Sequence, residues 1–553
     1  MNIQVLKGLN LQNDHTVIKI NISTKPKTEL LELIKSYHEV YLRDYEIVEN
    51  TIIIHSDLDH MWKLIAPVLE KYSTNEWSYD LSKEYIRNEV IKNHVPSMSS
   101  IPIFDYAQRE GIEITQYFVE EGFSTKQELN SFNKYYILGC GVETESFSGI
   151  SSSHDSYIGF KTQRDKWATN TIVQRLRLPI AKWDLIESEE HLKELFNSYN
   201  KPVVIKPTGL TQGNGVVTKI DTLEKAIEGY RYAMSCINEK PRQKYQYKVM
   251  IQEQVQGDDY RFLTIDGKMF IATKRVPAFI TGDGKSTIKE LIDETNRDPR
   301  RDINNPAHIL KPIQYDEMLD KYLSEQNLTL EYIPKDQERV YVRKVASMSQ
   351  GGITEDVTDN VHPQLKSIVE SISSTNKSYV MGIDVICKDI SQPLTKDNGS
   401  IIEINTMNEA YLNAFPVIGR QYPEIGEIFV QKLLSKNPKC SKYVTVGLTH
   451  ENIKSTILTN IDTNKNIGIY INKKIYINNY EISQEEDIWR AIEALKLNKS
   501  LDIIIINHET EDSVREYGLG FSRIDEIVLN KNTTSSETIS KLLGYRNLGL
   551  INK

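Results

Sequence analysis

Cysteine is scarce in this sequence. The 553 residues hold four, Cys140, Cys236, Cys387 and Cys440, and none stands in a CxxC pair. That spacing supports neither a zinc knuckle nor a disulfide framework. No apolar run approaches the length needed to cross a bilayer, and the N-terminal stretch MNIQVLKGLN lacks the charged-then-apolar layout of a secretory signal. Heptads and short-period repeats are missing, which excludes a coiled coil or a solenoid. Positive charge is not in excess either: Lys and Arg number 67 against 76 Asp and Glu, a formal net charge of −9. Gripping nucleic acid as a main task needs a basic surface, so that class is set aside, a local basic channel excepted. The expectation is a soluble, cytoplasmic protein of a reducing compartment, with no nucleic-acid and no membrane partner.

What is present describes a folded chain of several domains. Hydrophobic residues make up 39% and charged residues 26%, a globular balance, and the length suits three or four domains at roughly 100–200 residues each. Strand-like alternation at 17–22 and 51–55 mixes with a helical run at 28–36. Gly139, Gly141 and Gly149, then Ser151 to Ser153, read as a boundary loop. A helix is expected over 165–178, with Trp167, Ile172, Val173 and Leu176 as its apolar stripe. A strand at 202–206, a glycine-rich loop from Gly209 to Gly215, a strand at 216–220 and a helix at 223–233 follow. Residues 260–275 read as a β-hairpin whose Asp266-Gly267 pair suits a type I′ turn. Strands are expected at 379–386 and 400–405. From about 441 the pattern restarts as a small α/β unit. The fold class is α/β and α+β, multidomain.

Several segments carry chemistry. In Ser400-Ile-Ile-Glu-Ile-Asn405, alternation puts Glu403 and Asn405 on one strand face, roughly 6.6 Å apart. If the strand holding Asp384 pairs antiparallel with it, two carboxylates and an amide oxygen meet, a hard-ligand set suited to Mg²⁺ shared with phosphates. The plainer alternative is a solvated strand face. The glycine loop follows Lys206 and lets backbone N–H groups close on phosphates; an ordinary hairpin turn is its alternative. Lys166 falls in the first turn of its helix, where a cation opposes the macrodipole, so it is either solvated or neutralised by an anion. A two-residue turn at 266–267 places Asp259 opposite Lys274 and Asp258 opposite Arg275. This is either simple cross-strand ion pairing, worth about 0.2–1 kcal/mol per pair, or a charged wall presenting Arg261 and Arg275 to anions.

Taken together these segments resemble the ATP-grasp ligases, and among them the cyanophycin synthetase group. The resemblance is carried by Arg-Val-Pro-Ala-Phe-Ile-Thr-Gly-Asp-Gly-Lys-Ser-Thr-Ile at 275–288, Asn-Arg-Asp-Pro-Arg-Arg at 296–301, Ser-Gln-Gly-Gly-Ile-Thr-Glu-Asp-Val-Thr-Asp at 349–359 and Glu-Ile-Asn at 403–405. The ATP-grasp module of bifunctional glutathione synthetases is similar over the same stretch. The N-terminal region resembles the cyanophycin synthetase N-domain through residues 5–10 and Leu138-Gly-Cys-Gly-Val. The resemblance implies that ATP phosphorylates a carboxylate and that an amine then attacks the acyl phosphate. It assigns Lys166, Lys206, Gly213, Gly215, Glu253, Val255 and Asp259 to ATP, and Asp384, Glu403 and Asn405 to Mg²⁺. Arg275 and Arg261 become the catalytic residues. Ser156, Arg261, Ser349, Gly351 and Gly352 would hold the acceptor.

The sequence departs from that group in places. Gln212 stands where a histidine is expected in the glycine loop, and Met348-Ser-Gln-Gly-Gly replaces Leu-Ser-Thr-Gly-Gly. Cyanophycin synthetases continue into a Mur-ligase-like domain with the P-loop Thr-Gly-Thr-Asn-Gly-Lys-Thr-Thr. Here Val446-Gly-Leu-Thr-His-Glu-Asn-Ile-Lys-Ser-Thr456 takes its place, with His450 and Ile453 where glycines belong. Arg515-Glu-Tyr-Gly-Leu-Gly-Phe521 again resembles the group. The expected organisation is an N-terminal domain at 1–160, an ATP-grasp ligase at 161–440, and an inactive, shortened Mur-ligase-like remnant at 441–553. The expected activity joins an amino acid to an amino-acid or peptide carboxylate, in a homo-oligomer. The alternatives are a glutathione-synthetase-like small-molecule ligase and a non-catalytic nucleotide-binding scaffold.

Overall fold

The computed structural model describes residues 1–116, 134–200, 202–210, 214–239, 247–406, 410–460, 462 and 464–553. They form two compact units. One comprises 1–153, 305–307 and 424–553; the other comprises 154–304 and 308–423. The three-segment division along the sequence remains a proposal about chain organisation. In space, the two ends of the chain share one unit. Among the described residues no helix is long and apolar enough to cross a membrane. The mixed helices and sheets agree with the expected α/β and α+β class.

The unit built from both chain ends holds three sheets. In the first, Asn2–Leu6, Val17–Asn21, Thr51–His55 and Asp44–Val48 pair antiparallel in that order. The second runs Ile114–Gln116, Tyr135–Leu138, Glu145–Ser148 and Ser151–Ser152. The expected boundary loop at 151–153 is therefore partly a strand, turned back through Gly149, whose φ is 62°. In the third sheet, Ile467–Ile471, Ile503–His508, Ser441–Val446 and Glu526–Leu529 lie parallel. The hairpin Lys474–Ile477 and Tyr480–Gln484 extends its edge. The long isoleucine runs at 503–506 match a strand buried on both faces, and all four isoleucines are buried. Leu9 and Cys140, from the N-terminal part, join the core of this sheet beside Cys440, Phe521 and Leu542. Gly8 lies so close to the Phe521 carbonyl that no Cβ fits there.

The second unit places a four-stranded sheet and a five-stranded sheet. The smaller is antiparallel in the order Val217–Ile220, Val203–Pro207, Val249–Glu253, Trp183–Ile186, and the helix Leu223–Asn238 covers it. That helix runs five residues beyond the expected 233. The larger runs Ile353–Asp356, Lys268–Val276, Asp258–Ile265, Val380–Cys387, Gly399–Thr406, all antiparallel. A third, smaller core gathers around the strands Phe279–Thr281 and Arg339–Tyr341 and the helices Ile288–Asn296 and Glu317–Glu325.

Two expectations need correction. Asp266 and Gly267 have φ of 48° and 76°, the type I′ signature. Beyond that turn, however, a bulge between Leu263 and Thr264 shifts the register by one residue. Asp259 therefore faces Arg275, and Tyr260 faces Lys274. The ion pairs form with the partners exchanged: Lys274 Nζ lies 2.6 Å from Asp258 and Arg275 Nη1 lies 3.3 Å from Asp259. The second correction concerns the helix Lys166–Arg175. Its buried residues are Lys166, Thr169, Asn170 and Val173, while Trp167 and Leu176 are exposed. The apolar spacing misread the helix because its inner face serves a polar site.

Candidate functional site

The site begins with the register of the five-stranded sheet. Asp259 faces Arg275, Arg261 faces Asp384, and Asp384 faces Glu403. Alternation keeps these side chains, with Asn405, on one face of four neighbouring strand positions. Asp384 is the hub. Arg261 Nε sits against Asp384 Oδ1, and Arg261 Nη2 donates to Oδ2 at 3.0 Å. Arg275 donates from Nη1 and Nη2 to the same carboxylate at 3.4 Å, and Asn405 Nδ2 donates to it at 3.4 Å. Burial, reinforced by the neighbouring Glu403 charge, pushes Asp384 up to about 7 against the pull of Arg275. Burial likewise holds Asp259 at about 6, although Arg275 opposes it. The guanidinium of Arg275 is held charged by Asp384 and Asp259 despite its own burial.

The second wall is supplied by the helix Lys166–Arg175 and the strand Val203–Pro207. Asp165 caps the helix, accepting from Trp167 N at 2.8 Å and Ala168 N at 3.3 Å. That cap fixes the first turn, and Lys166 Nζ reaches Glu403 Oε1 at 3.0 Å and the Leu210 carbonyl at 2.8 Å. Lys166 is 8% exposed. Of the two readings open for it, neutralisation by an anion is the one the structure shows, and the solvated one is set aside. Lys206, 5% exposed, is pushed down to about 8, first by burial and then by the Lys166 charge. A buried lysine near a second cation is destabilised as a cation until an anion arrives.

The remaining residues fall in three places. Glu253 ends its strand, and its N–H donates to the Lys182 carbonyl at 2.9 Å, while Gln254 Oε1 accepts from Lys219 N at 2.6 Å. These ties pin the backbone leading into Val255. Gly215 has φ 74°, and a Cβ there would meet Pro207 Cγ at 2.6 Å, so only glycine closes this loop. Gln212 and Gly213 lie outside the described residues. Ser156 and Ser349 are engaged locally. Ser156 Oγ caps the helix Tyr157–Gln163 by accepting from Gly159 N at 2.8 Å, and Ser349 Oγ pairs with Ser347 Oγ at 2.8 Å. Gly351 has φ 90°, and its carbonyl accepts from Arg301 Nη1 at 3.1 Å. Gly352 is buried beside it.

The Asp165 cap is the residue that sequence reasoning missed, although an aspartate directly before a helix is a start signal. Beside Glu253, the amide nitrogen of Gln252 is buried without a partner among the described residues. Among the described residues no group of three or more His, Cys, Asp or Glu side chains is set to hold a metal by itself. Asp384, Glu403 and Asn405 supply hard oxygen donors from adjacent strands. That set fits an Mg²⁺ ion whose other ligands are phosphate oxygens and water.

Residues 164–280 match the phosphoribosylglycinamide synthetase ATP-grasp (A) domain. The chain is similar to the cyanophycin synthetase of Synechocystis sp., with 31% identity over 401 residues, 71% of this chain and 45% of that protein. It is also similar to the glutathione biosynthesis bifunctional protein of Clostridium perfringens, 27% identical over 401 residues, covering 71% and 48% of the two chains. The crystal structure of a bifunctional glutathione synthetase from Pasteurella multocida aligns at a TM-score of 0.48 and 22% identity, covering 67% of this chain and 49% of that one. The chain spans about half the length of the curated relatives it matches.

Proposed function

We propose that the protein is an ATP-dependent carboxylate–amine ligase that forms an amide through an acyl phosphate. The observation that carries this reading is the single network joining Lys166, Glu403, Asp384, Arg261 and Arg275. Lys166 and Lys206 bind the phosphates of ATP, Gly213 and Gly215 belong to the loop over them, and Glu253, Val255 and Asp259 hold the nucleoside. Asp384, Glu403 and Asn405 hold Mg²⁺, which supplies neutralisation of phosphate charge.

An oxygen of the acceptor carboxylate attacks the γ-phosphorus, the bond to the β,γ-bridging oxygen breaks, and ADP leaves. The amine nitrogen of the incoming amino acid then attacks the acyl carbon. Phosphate leaves, and the nitrogen loses its proton. Arg275, with Arg261 beside it, stabilises the oxyanion of that addition. Ser156, Ser349 and the Gly351-Gly352 backbone position the acceptor. The acceptor is an amino acid or a peptide, and the protein works as a cytoplasmic homo-oligomer. The likeness to a glutathione biosynthesis protein supports a second reading, a small-molecule ligase making one addition.

The test is isotopic. With ¹⁸O in the acceptor carboxylate, one label should pass into the released phosphate with each amide formed. Unlabelled phosphate accompanying amide formation would eliminate the acyl-phosphate route.

A further inference from the structure

The unit built from both chain ends contains a cavity of about 660 Å³, separate from the residues of the ligase cleft. Its wall brings together three side chains by simple geometry. Phe104 and Gln108 lie one helical turn apart on the helix Ile101–Arg109, so they share a face. Phe104 meets the ring of Tyr136 edge-on, with centroids 4.8 Å apart, and all three line the cavity. Tyr136 is 3% exposed. Its hydroxyl and the Gln108 amide nitrogen are both buried without a hydrogen-bond partner among the described residues. Burial raises the Tyr136 phenol well above its ordinary range, so it keeps its proton. Two buried donors left unsatisfied cost stability unless something else accepts from them.

The charges around them narrow what that partner is. Four of the six acids of the lining pair with cations, while Asp14 lies 2.7 Å from His15 and Asp487 caps a helix by accepting from Trp489 N at 2.8 Å. Asp57 pairs with Arg43 at 2.7 Å, Glu493 with Lys7 at 2.9 Å and Glu113 with Lys496 at 2.6 Å, and Asp59 lies 3.0 Å from Lys63. Arg109 and Arg523 lie at exposed positions of the same lining and pair with Asp105 and Glu110, which are not part of it. The cavity therefore offers uncharged donors at depth and arginines, each already in an ion pair, at exposed positions, with four of its six acids paired to cations. We propose that this cavity is a second ligand site, for a small organic carboxylate bound between Tyr136 Oη and Gln108 Nε2. A monoanion suits it better than a phosphate dianion, because the deep donors carry no charge to offset a second negative charge.

The test uses the full chain and calorimetric titration with acetate, succinate, L-aspartate and L-alanyl-L-alanine, with inorganic phosphate as the competing chemistry. Saturable binding of at least one carboxylate is expected. It should become roughly tenfold weaker in Tyr136→Phe/Gln108→Leu, two net hydrogen bonds being lost. Bromoacetate soaked into crystals of the wild-type chain gives a check that needs no variant, with bromine expected beside Tyr136 and Gln108. No saturable carboxylate binding, phosphate binding in preference to every carboxylate, or bromine only elsewhere would overturn the proposal.

Discussion

Lys206 shows most plainly what single residues do in this site. Burial and the neighbouring Lys166 hold its pKa near 8, so near pH 8 the free protein carries about half a proton there. Phosphate groups beside it would raise that pKa, and ATP binding near pH 8 should therefore take up about half a proton. Calorimetry in two buffers of different ionisation enthalpy measures the uptake, and Lys206→Met should abolish it. An equal uptake in the variant would remove Lys206 from the phosphate contact. The residue types were legible in the sequence: two lysines, two carboxylates and an asparagine at suggestive spacings. The partnership was not. Nothing in the local pattern says that Lys166 meets Glu403, because that pair depends on how the helix docks beside the strand Gly399–Thr406. Nor did the sequence show that Asp384 is shared by two guanidiniums.

At the scale of elements, local signals were read well where backbone chemistry is strong and poorly where a face is shared. The Asp266-Gly267 turn follows from φ requirements alone. The bulge after Leu263 has no comparable signature, and it decides which charges oppose each other across the hairpin. The helix Lys166–Arg175 misled the apolar-stripe rule because Lys166 and Asn170 face inward. Its cap offers a test of coupling between element and site. Asp165→Ala should cost about 1 kcal/mol of stability, read by urea denaturation, and should also weaken ATP binding by loosening the first turn that carries Lys166. A loss of stability with ATP affinity unchanged would separate the cap from the site.

For the whole molecule, the sequence showed several α/β regions in order but not that the two chain ends build one unit. Order along the chain does not record which surfaces meet. Gly8 against Phe521, and the buried Glu113–Lys496 pair, are contacts between distant segments. That unit also carries a pH liability. His508 is fully buried, accompanied at Nδ1 by Ser513 Oγ at 2.9 Å, and burial lowers its pKa to about 4. The neutral form is favoured in the fold, so the stability it contributes is present above the unfolded value near 6.5. It is lost as pH falls from there through about 4. Urea midpoints should drop over that window by the equivalent of up to about 3 kcal/mol, and His508→Gln should flatten the drop. A pH profile unaltered by the substitution would assign the acid sensitivity elsewhere.

The most direct measurement concerns Glu403, which faces Asp384 across the sheet and pairs with Lys166. Wild-type protein is incubated with ATP, Mg²⁺ and a panel of amino acids and dipeptides, alongside Glu403→Ala, and amide product and ADP are followed by mass spectrometry. The wild type should form amide and ADP in equal amounts with a productive pair, as one addition or a growing ladder. The variant should lose at least about a hundredfold in rate, as removal of a key electrostatic group from a transition state does. Amide formation at an unchanged rate by Glu403→Ala, or ATP binding with no amide from any pair, would contradict a ligase built on this cleft.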